Sequence, residues 1–547
     1  MSPPLLRCAL SLPKGLKPDH RGHWAKTVRA ALFVLLVTPS MLTSCASDES
    51  ASSNTIQQGP NTSSSATTTT TQPEGTEPLK NGDWLRFGFD PARSGVNPED
   101  SSITPSSVSN LQRLWQTKLP RVADSSPILL HALSFPDKIR DALYVTTRDG
   151  QLVALDAADG TVLWSRQPSR PTTANPSPHA RSSITNSSPV ADSSRQYVYS
   201  YGLDGSLHKY AATTGNEVKD SGWPAQITRM PETEKESSAL STAGERIYAT
   251  TSGYFGDAPP YQGHLVSIDE SSGEEDVFNS LCADTTHILS KGECQSDEAG
   301  IWARGGAVID PTTGEVFLTT GNGPYDADRG GNDYGDSIVK LSPDGLQLID
   351  SYTPKTYRQL EETDADLGST APALLPEIPE SKIPLLLVQG GKDQQLRLID
   401  RQDMSGASGP GHVGGELQQI KSAGCATFTQ PVVWTDTDSR VWVIVAGTCG
   451  IGAYQIVSDD SGTPRLDLVW QTDDKTTTPV LTGAVLFAVA NGAVLALDPS
   501  SGQRLWSSDQ DEAGGPIGDI HWESPIVVGG RLYISDESGT ISAYGLQ

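Results

Sequence analysis

From residue 80 onward the chain is dominated by short runs in which apolar side chains alternate with a period of two. In Leu152-Val153-Ala154-Leu155 one face carries Leu152 and Ala154 and the other Val153 and Leu155, the period of a strand and not of a helix. No helix is expected after residue 80. The pattern also recurs. Asp149-Gly150-Gln151-Leu152-Val153-Ala154-Leu155-Asp156, followed by the turn at Gly160 and a strand ending in Trp164, matches Asn491 to Trp506 position for position. Each copy reads as a turn, a strand, a second turn at Asp-x-x-x-Gly and a strand closing on Trp. Weaker copies pass through Tyr197-Val198-Tyr199, Arg246-Ile247-Tyr248, Val316-Phe317-Leu318, Leu385-Leu386-Leu387-Val388, Val441-Trp442-Val443 and Arg531-Leu532-Tyr533. A strand unit recurring at roughly 50 residues cannot bury its faces alone and must stack with its copies around an axis.

Eight units are countable, so the expected fold is all-β, an eight-bladed β-propeller of four-stranded blades. Seven blades is the second choice, because the third and fourth units carry long insertions. Six units open on a proline, at Pro127, Pro189, Pro372, Pro431, Pro479 and Pro525, a residue tolerated at the first position of a strand. The last unit ends at Tyr544-Gly545-Leu546-Gln547, one Trp-ending strand short. The missing strand stands at the other end, Leu111-Gln112-Arg113-Leu114-Trp115-Gln116-Thr117, and its pairing beside Thr540 to Tyr544 would close the ring and hide both edges. Trp164, Trp470 and Trp506 should occupy equivalent, largely buried outer-strand places.

Residues 1–45 stand apart from this pattern. Lys26 and Arg29 precede the apolar run Ala30 to Val37, which leads to Leu42-Thr43-Ser44-Cys45. The arrangement resembles a bacterial lipoprotein signal peptide, with Cys45 as the acylated residue. Residues 46–79 are Ser/Thr-rich and read as a disordered tether, leaving 80–547 as the propeller. The expected location is therefore outside the cytoplasm, held to a bacterial membrane by the N-terminal lipid. Net charge is −26, and without residues 1–45 there remain 34 basic and 65 acidic residues. That balance excludes nucleic acid as a partner and electrostatic adhesion to anionic lipid. Apart from Cys8 and Cys45, the cysteines are Cys282, Cys294, Cys425 and Cys449. In an exported chain they should pair. Of three connectivities, Cys282–Cys294 with Cys425–Cys449 is favoured because each pair is close in sequence.

With its repeats, closing strand and entry segment Trp84-Leu85-Arg86-Phe87-Gly88-Phe89-Asp90, the chain resembles the pyrroloquinoline quinone (PQQ) quinoprotein superfamily. Thr320-Gly321-Asn322-Gly323-Pro324, Asp366-Leu367-Gly368-Ser369 and Gly391 to Arg401 strengthen the likeness. The resemblance implies PQQ and Ca2+ as possible cofactors. It puts Asn322 where a metal-ligating Asn occurs, Asp366 where the catalytic base and a further metal ligand would stand (with Asp364 two residues earlier), and Lys392 where a basic residue meets the quinone oxygens. A hard cation needs such oxygen ligands and the chemistry needs a positioned base. Other features depart from the family. No adjacent Cys-Cys pair is present, and no Glu ligand is evident around residues 253–257. The stacking Trp aligns with Gly306, leaving Trp302, the nearest candidate, displaced and not expected beneath Asn322, Asp366 and Lys392.

Asp326 to Asp336 is rich in oxygen ligands but departs from the EF-hand pattern at Gly330 and Ser337; an ordinary polar turn is the simpler reading. The nine histidines show no metal-ligand spacing, no G-x-S-x-G elbow occurs, and Gly390-Gly391-Lys392 lacks the rest of a P-loop. The chain is accordingly expected to be a non-enzymatic binding or scaffold protein at the cell envelope, with a protein or glycan partner. The alternatives are a PQQ- and calcium-dependent dehydrogenase of alcohols or sugars, and a solute- or metal-binding propeller.

Overall fold

A computed structural model describes residues 82–168, 184–255, 257–379, 381–510 and 514–547. The signal peptide expected over 1–45, the lipid site Cys45 and the tether expected over 46–79 lie outside the described residues.

Eight antiparallel sheets form eight blades, in chain order around the ring. Blade I takes its strands from Ile128–Ser134, Ile139–Thr146, Leu152–Asp156 and Val162–Arg166. The other innermost strands are Val190–Ala191 (II), Ser241–Ala243 (III), Val308–Ile309 (IV), Ala373–Leu374 (V), Val432–Thr435 (VI), Val480–Thr482 (VII) and Ile526–Val528 (VIII). The six prolines fall immediately before innermost strands of six blades. Blade VIII is completed from the other end of the chain, where Leu111–Lys118 pairs antiparallel with Thr540–Leu546, Trp115 opposite Ala543. Eight blades and a ring closed by the early strand are what the repeats predict.

Trp164, Trp470 and Trp506 lie on outer strands with relative exposures of 8%, 8% and 5%. The structure also explains the turns that follow the third strand in blades I, II, III and VII, Asp-x-x-x-Gly in three of them and Ala211 to Gly215 in blade II. The indole N–H of one blade donates to a carbonyl in the turn of the next: Trp115 to Ala157 (3.2 Å), Trp164 to Ala212 (3.1 Å), Trp223 to Glu270 (3.2 Å) and Trp470 to Pro499 (2.9 Å). Each accepting residue stands three before the turn glycine. At Gly160 and Gly502 the ring lies so close that a Cβ would come within 2.6 Å of the Trp115 or Trp470 ring, and φ is +74° and +71°. The glycine is thus required both by backbone conformation and by the ring docked on it.

The expectation of no helix fails at one place. Tyr357–Thr363 forms a seven-residue α-helix between blades IV and V that buries only Leu360 and ends on Asp364 in the left-handed conformation. With one buried residue it carries no apolar stripe, so periodicity gives no sign of it. Both predicted disulfides, Cys282–Cys294 and Cys425–Cys449, are formed.

The entry segment, residues 84–97, threads across the axis. Trp84 exchanges backbone hydrogen bonds with Leu129 of blade I, and the carbonyls of Leu85, Pro91, Ser94 and Gly95 accept from Ala191, Ile309, Val433 and Leu481 of blades II, IV, VI and VII. Arg93 donates to the carbonyls of Ala239 and Leu240 at the start of blade III, and Asn97 to Val527 of blade VIII. Seven blades are tied to this one strap. Gly502→Ala should therefore cost about 2 to 4 kcal/mol, combining left-handed strain with overpacking against Trp470, read as a lowered midpoint in denaturant unfolding. A substitution at the half-buried Gly492, where a Cβ meets nothing within 4 Å, shares the strain (φ +82°) without the clash and should cost distinctly less.

Candidate functional site

The innermost strands run the same way, so the residues just before them gather at one end of the channel and the strap closes it further along. At that open end lies a cavity of about 450 Å3. Its wall is drawn from Asp124 (before blade I), Asn186 (before II), Lys235 and Ser252 (III), Trp302 and Asn322 (IV), Asp364 and Lys392 (V), Phe428 (before VI) and His521 with Trp522 (before VIII). Residues far apart in sequence converge because every blade contributes the same loops to the same end.

Trp302, Asn322 and Lys392 line this cavity together. The expectation that Trp302 is displaced from them is corrected: the Lys392 ammonium stands 5.2 Å from the Trp302 ring centroid. Gly306, where the stacking position was aligned, instead packs on Ser238 and Ala239. The loop carrying Trp302 is zipped to the loop carrying Asn322, with Ala299 N–H on the Asn322 carbonyl and Gly321 N–H on that of Gly300, both 2.8 Å. Those bonds, invisible to an alignment, bring the indole into the site.

Lys392 sits in the turn between Leu386–Gln389 and Gln395–Asp400. Its Nζ bridges Asp364 Oδ1 at 2.8 Å and Asp366 Oδ2 at 3.1 Å. The short helix delivers both carboxylates, one at its C-cap and one two residues on. Burial pushes the Asp366 carboxyl up, partly offset by Lys392, to about 6. Burial also opposes the charge on Lys392, but Asp366 and Asp364 outweigh it and raise the ammonium above its ordinary value. Asp366 Oδ1 is buried with no hydrogen-bond partner among the described residues. Asp366 is thus a buried carboxylate near neutrality with one oxygen uncommitted, the condition of a general base.

The rest of the wall was not singled out in the sequence. Trp302, Phe428 and Trp522 form an aromatic arc with centroid spacings of 6.2 and 6.1 Å, and His521 packs 4.9 Å from Trp522. His521 Nδ1 meets Asp124 Oδ2 at 2.9 Å, and Asp124 also binds Arg148. Burial would raise the Asp124 carboxyl, but His521 and then Arg148 hold it below its ordinary value. Asp124, His521 and Glu537 present ligand atoms within 4.8 Å of one another. Arg148 already bridges Asp124 and Glu537, so a guanidinium supplies the positive charge there. Asp257 reaches the cavity wall from the stretch where no Glu ligand is evident.

The oxygen-rich stretch 326–336 behaves as a polar turn. Asp326 accepts from Asp333 N–H, Asp333 from Cys282 N–H and Ser296, and Asp336 from Leu367 N–H.

A family model described as glucose/ethanol/alcohol dehydrogenase β-propeller domain matches residues 84–344, and the model of outer membrane protein assembly factor BamB matches 438–547. The dehydrogenase subunit of a quinone alcohol dehydrogenase from Gluconobacter oxydans (strain 621H) is 26% identical over 352 residues, 57% of this chain and 42% of that protein. BamB of Shigella dysenteriae serotype 1 (strain Sd197) is 32% identical over 124 residues, 22% of this chain and 28% of that protein. The chain thus spans less than half of either curated relative. Among solved structures, a quinohemoprotein alcohol dehydrogenase of Pseudomonas putida HK5 superposes with a TM-score of 0.61 at 15% identity, over 85% of this chain and 80% of that one. A europium-containing methanol dehydrogenase gives 0.59 at 14%, over 85% and 98%. At these identities the structures establish the fold.

Lys392→Met would leave Asp366 buried without its cation and should destabilise the protein by about 3 kcal/mol above neutral pH. The penalty should shrink as pH falls toward about 6, the value of the carboxyl with Lys392 present, because without the ammonium burial pushes Asp366 higher still and it protonates first. Urea unfolding of both proteins across pH checks this.

Proposed function

The chain carries PQQ-like β-propeller domains, and on that premise we propose that the cavity holds a PQQ-type quinone and uses it to oxidise a hydroxyl-bearing small molecule. The observation that carries this reading is Lys392 poised 5.2 Å from the face of Trp302 in one cavity with Asn322. The residues present fit the group. Trp302 offers an aromatic face for a flat ring system, Lys392 a cation for the quinone oxygens, and the orphaned Asp366 Oδ1 a buried acceptor. Asn322 would contribute an oxygen to an accompanying calcium ion; the oxygens of Asp364 and Asp366 already face Lys392, which makes the cation part of the site leaner than the quinone part. When bound, the quinone supplies the two-electron acceptor. This chain's own residues do the remainder. Asp366 takes the hydroxyl proton, Lys392 holds Asp366 ionised and in place, and the aromatic arc from Trp302 to Trp522 excludes water from the ring.

Reconstitution with PQQ and Ca2+, followed by dye reduction with alcohols and sugars, tests the reading. Turnover is expected, and Asp366→Asn should lower kcat by about 10²- to 10⁴-fold while leaving PQQ bound. A reconstituted protein without turnover on either substrate class counts against it.

One observation favours a second reading, a docking protein of the cell envelope: blades VI to VIII carry the BamB match. In either case we place the propeller outside the cytoplasm, tethered through lipid on Cys45. No helix among the described residues is long and apolar enough to cross a membrane. Cys45→Ser should move the protein from the membrane to the soluble fraction, and retention on the membrane with an intact signal sequence would refute the anchor.

A further inference from the structure

The floor of the cavity carries an ammonium that no carboxylate among the described residues meets in a salt bridge. Lys235 belongs to the short strand Glu234–Glu236, which pairs with Arg246–Gly253, Lys235 opposite Ser252. Side chains on a strand alternate. Glu234 and Glu236 turn into the blade, where they accept from Gln262 N–H and Thr250 N–H, and Lys235 faces the cavity. The Lys235 side chain is buried, and its Nζ makes one hydrogen bond, to the neutral Asn186 Oδ1 at 3.1 Å. It forms no salt bridge among the described residues.

Below Lys235 the same condition repeats. Asn186 also accepts through its carbonyl from Arg304, whose other hydrogen bond among the described residues goes to Ser188 Oγ at 3.1 Å. Arg304 and Arg93 lie on the Phe87 ring, 5.2 and 5.7 Å from its centroid. Arg93 is spent on backbone carbonyls. Three buried cations, Lys235, Arg304 and Arg93, thus succeed one another from the cavity floor into the strap, in a protein of net charge −26. The acidic groups around Lys235 do not pair with it. Asp124 is held by His521 and Arg148, Glu236 is driven well above the usual carboxyl range by burial, and Asp257, raised by its own burial, lines the same cavity without a salt bridge to Lys235 among the described residues. A desolvated ammonium open to a cavity, with no carboxylate in contact among the described residues, is a receptor for an anion.

We propose that Lys235 is an anion seat, and that the cavity takes a planar ligand whose carboxylate docks on this ammonium while its ring lies against the aromatic arc. The seat stands on its own geometry and does not depend on the quinone reading. The carboxylate could belong to a quinone cofactor or to a free aromatic acid, and the chemistry of the seat is the same for both. Arg304 behind Lys235 strengthens the attraction without touching the ligand. Burial lowers the Lys235 ammonium to about 8, so the seat is charged at neutral pH and loses its charge as pH rises above that value.

The test titrates the purified protein calorimetrically with pyridine-2,4-dicarboxylate, a planar dianion, and with the corresponding uncharged dicarboxamide. The dianion should bind about 10-fold tighter or more at neutral pH, the size of one charge-assisted hydrogen bond. Lys235→Met should remove that preference, and so should raising the pH well above the ammonium's midpoint. Equal binding of the two probes, binding of neither, or a preference unchanged in Lys235→Met overturns the proposal. Should the variant not fold, wild-type protein with 13C-dimethylated lysines decides: the dianion must raise the titration midpoint of the Lys235 resonance, and a resonance indifferent to it overturns the seat. A parallel arm with PQQ and Ca2+ separates the sources. PQQ binding weakened by Lys235→Met identifies a cofactor carboxylate. Dianion binding by a protein that ignores PQQ supports the seat for a free carboxylate and refutes the quinone reading alone.

Discussion

Everything at the channel mouth depends on the ring being shut. Leu111–Lys118 reaches blade VIII from the opposite end of the chain and gives Thr540–Leu546 its outer partner. Until that pairing forms, the first and last blades each present an unpaired edge, and nothing fixes the curvature that turns eight sheets into a circle. Once it forms, the strap at residues 84–97 is drawn across the axis and hydrogen-bonded to seven blades. Closure and plugging come from neighbouring stretches of one end of the chain, residues 111–118 and 84–97.

That coupling gives the site its chemistry. Carboxylates and cations from blades I, III and V face each other across about 450 Å3, in surroundings where burial weighs heavily on their ionisation. Asp366 and Lys235 are displaced toward neutrality from opposite sides, one acid raised to about 6 and one base lowered to about 8. Near neutral pH both are charged, yet each lies close enough to its midpoint to exchange a proton. These are the two groups on which the proposed flat, anionic ligand and the proposed hydroxyl oxidation rest.

Much of the fold was legible in the sequence because the repeat carries its own instructions. Prolines mark the innermost strands, Asp-x-x-x-Gly marks the turn, and Trp marks the outer strand that docks on the next turn. The helix at Tyr357–Thr363 was missed because a single buried residue, Leu360, leaves no periodicity to read. The site was only partly legible. Asn322, Asp366 and Lys392 lie in segments that resemble a family, whereas Trp302 was assigned away from them by a spacing of four residues. The hydrogen bonds between residues 299–300 and 321–322 decide its place, and they are tertiary. Lys235 was hidden for another reason: Glu-Lys-Glu reads as a solvated charged patch until pairing with Arg246–Gly253 buries it.

The central claim is that the cavity is built for a flat ring against Trp302 with Lys392 at its edge. A crystal structure of the protein soaked with PQQ and Ca2+ tests it most directly. The account predicts planar density parallel to the Trp302 indole, its oxygens toward Lys392 and a carboxylate on Lys235. Density elsewhere on the protein, or a cavity left unchanged by the soak in a protein that also fails to bind PQQ in solution, would contradict it.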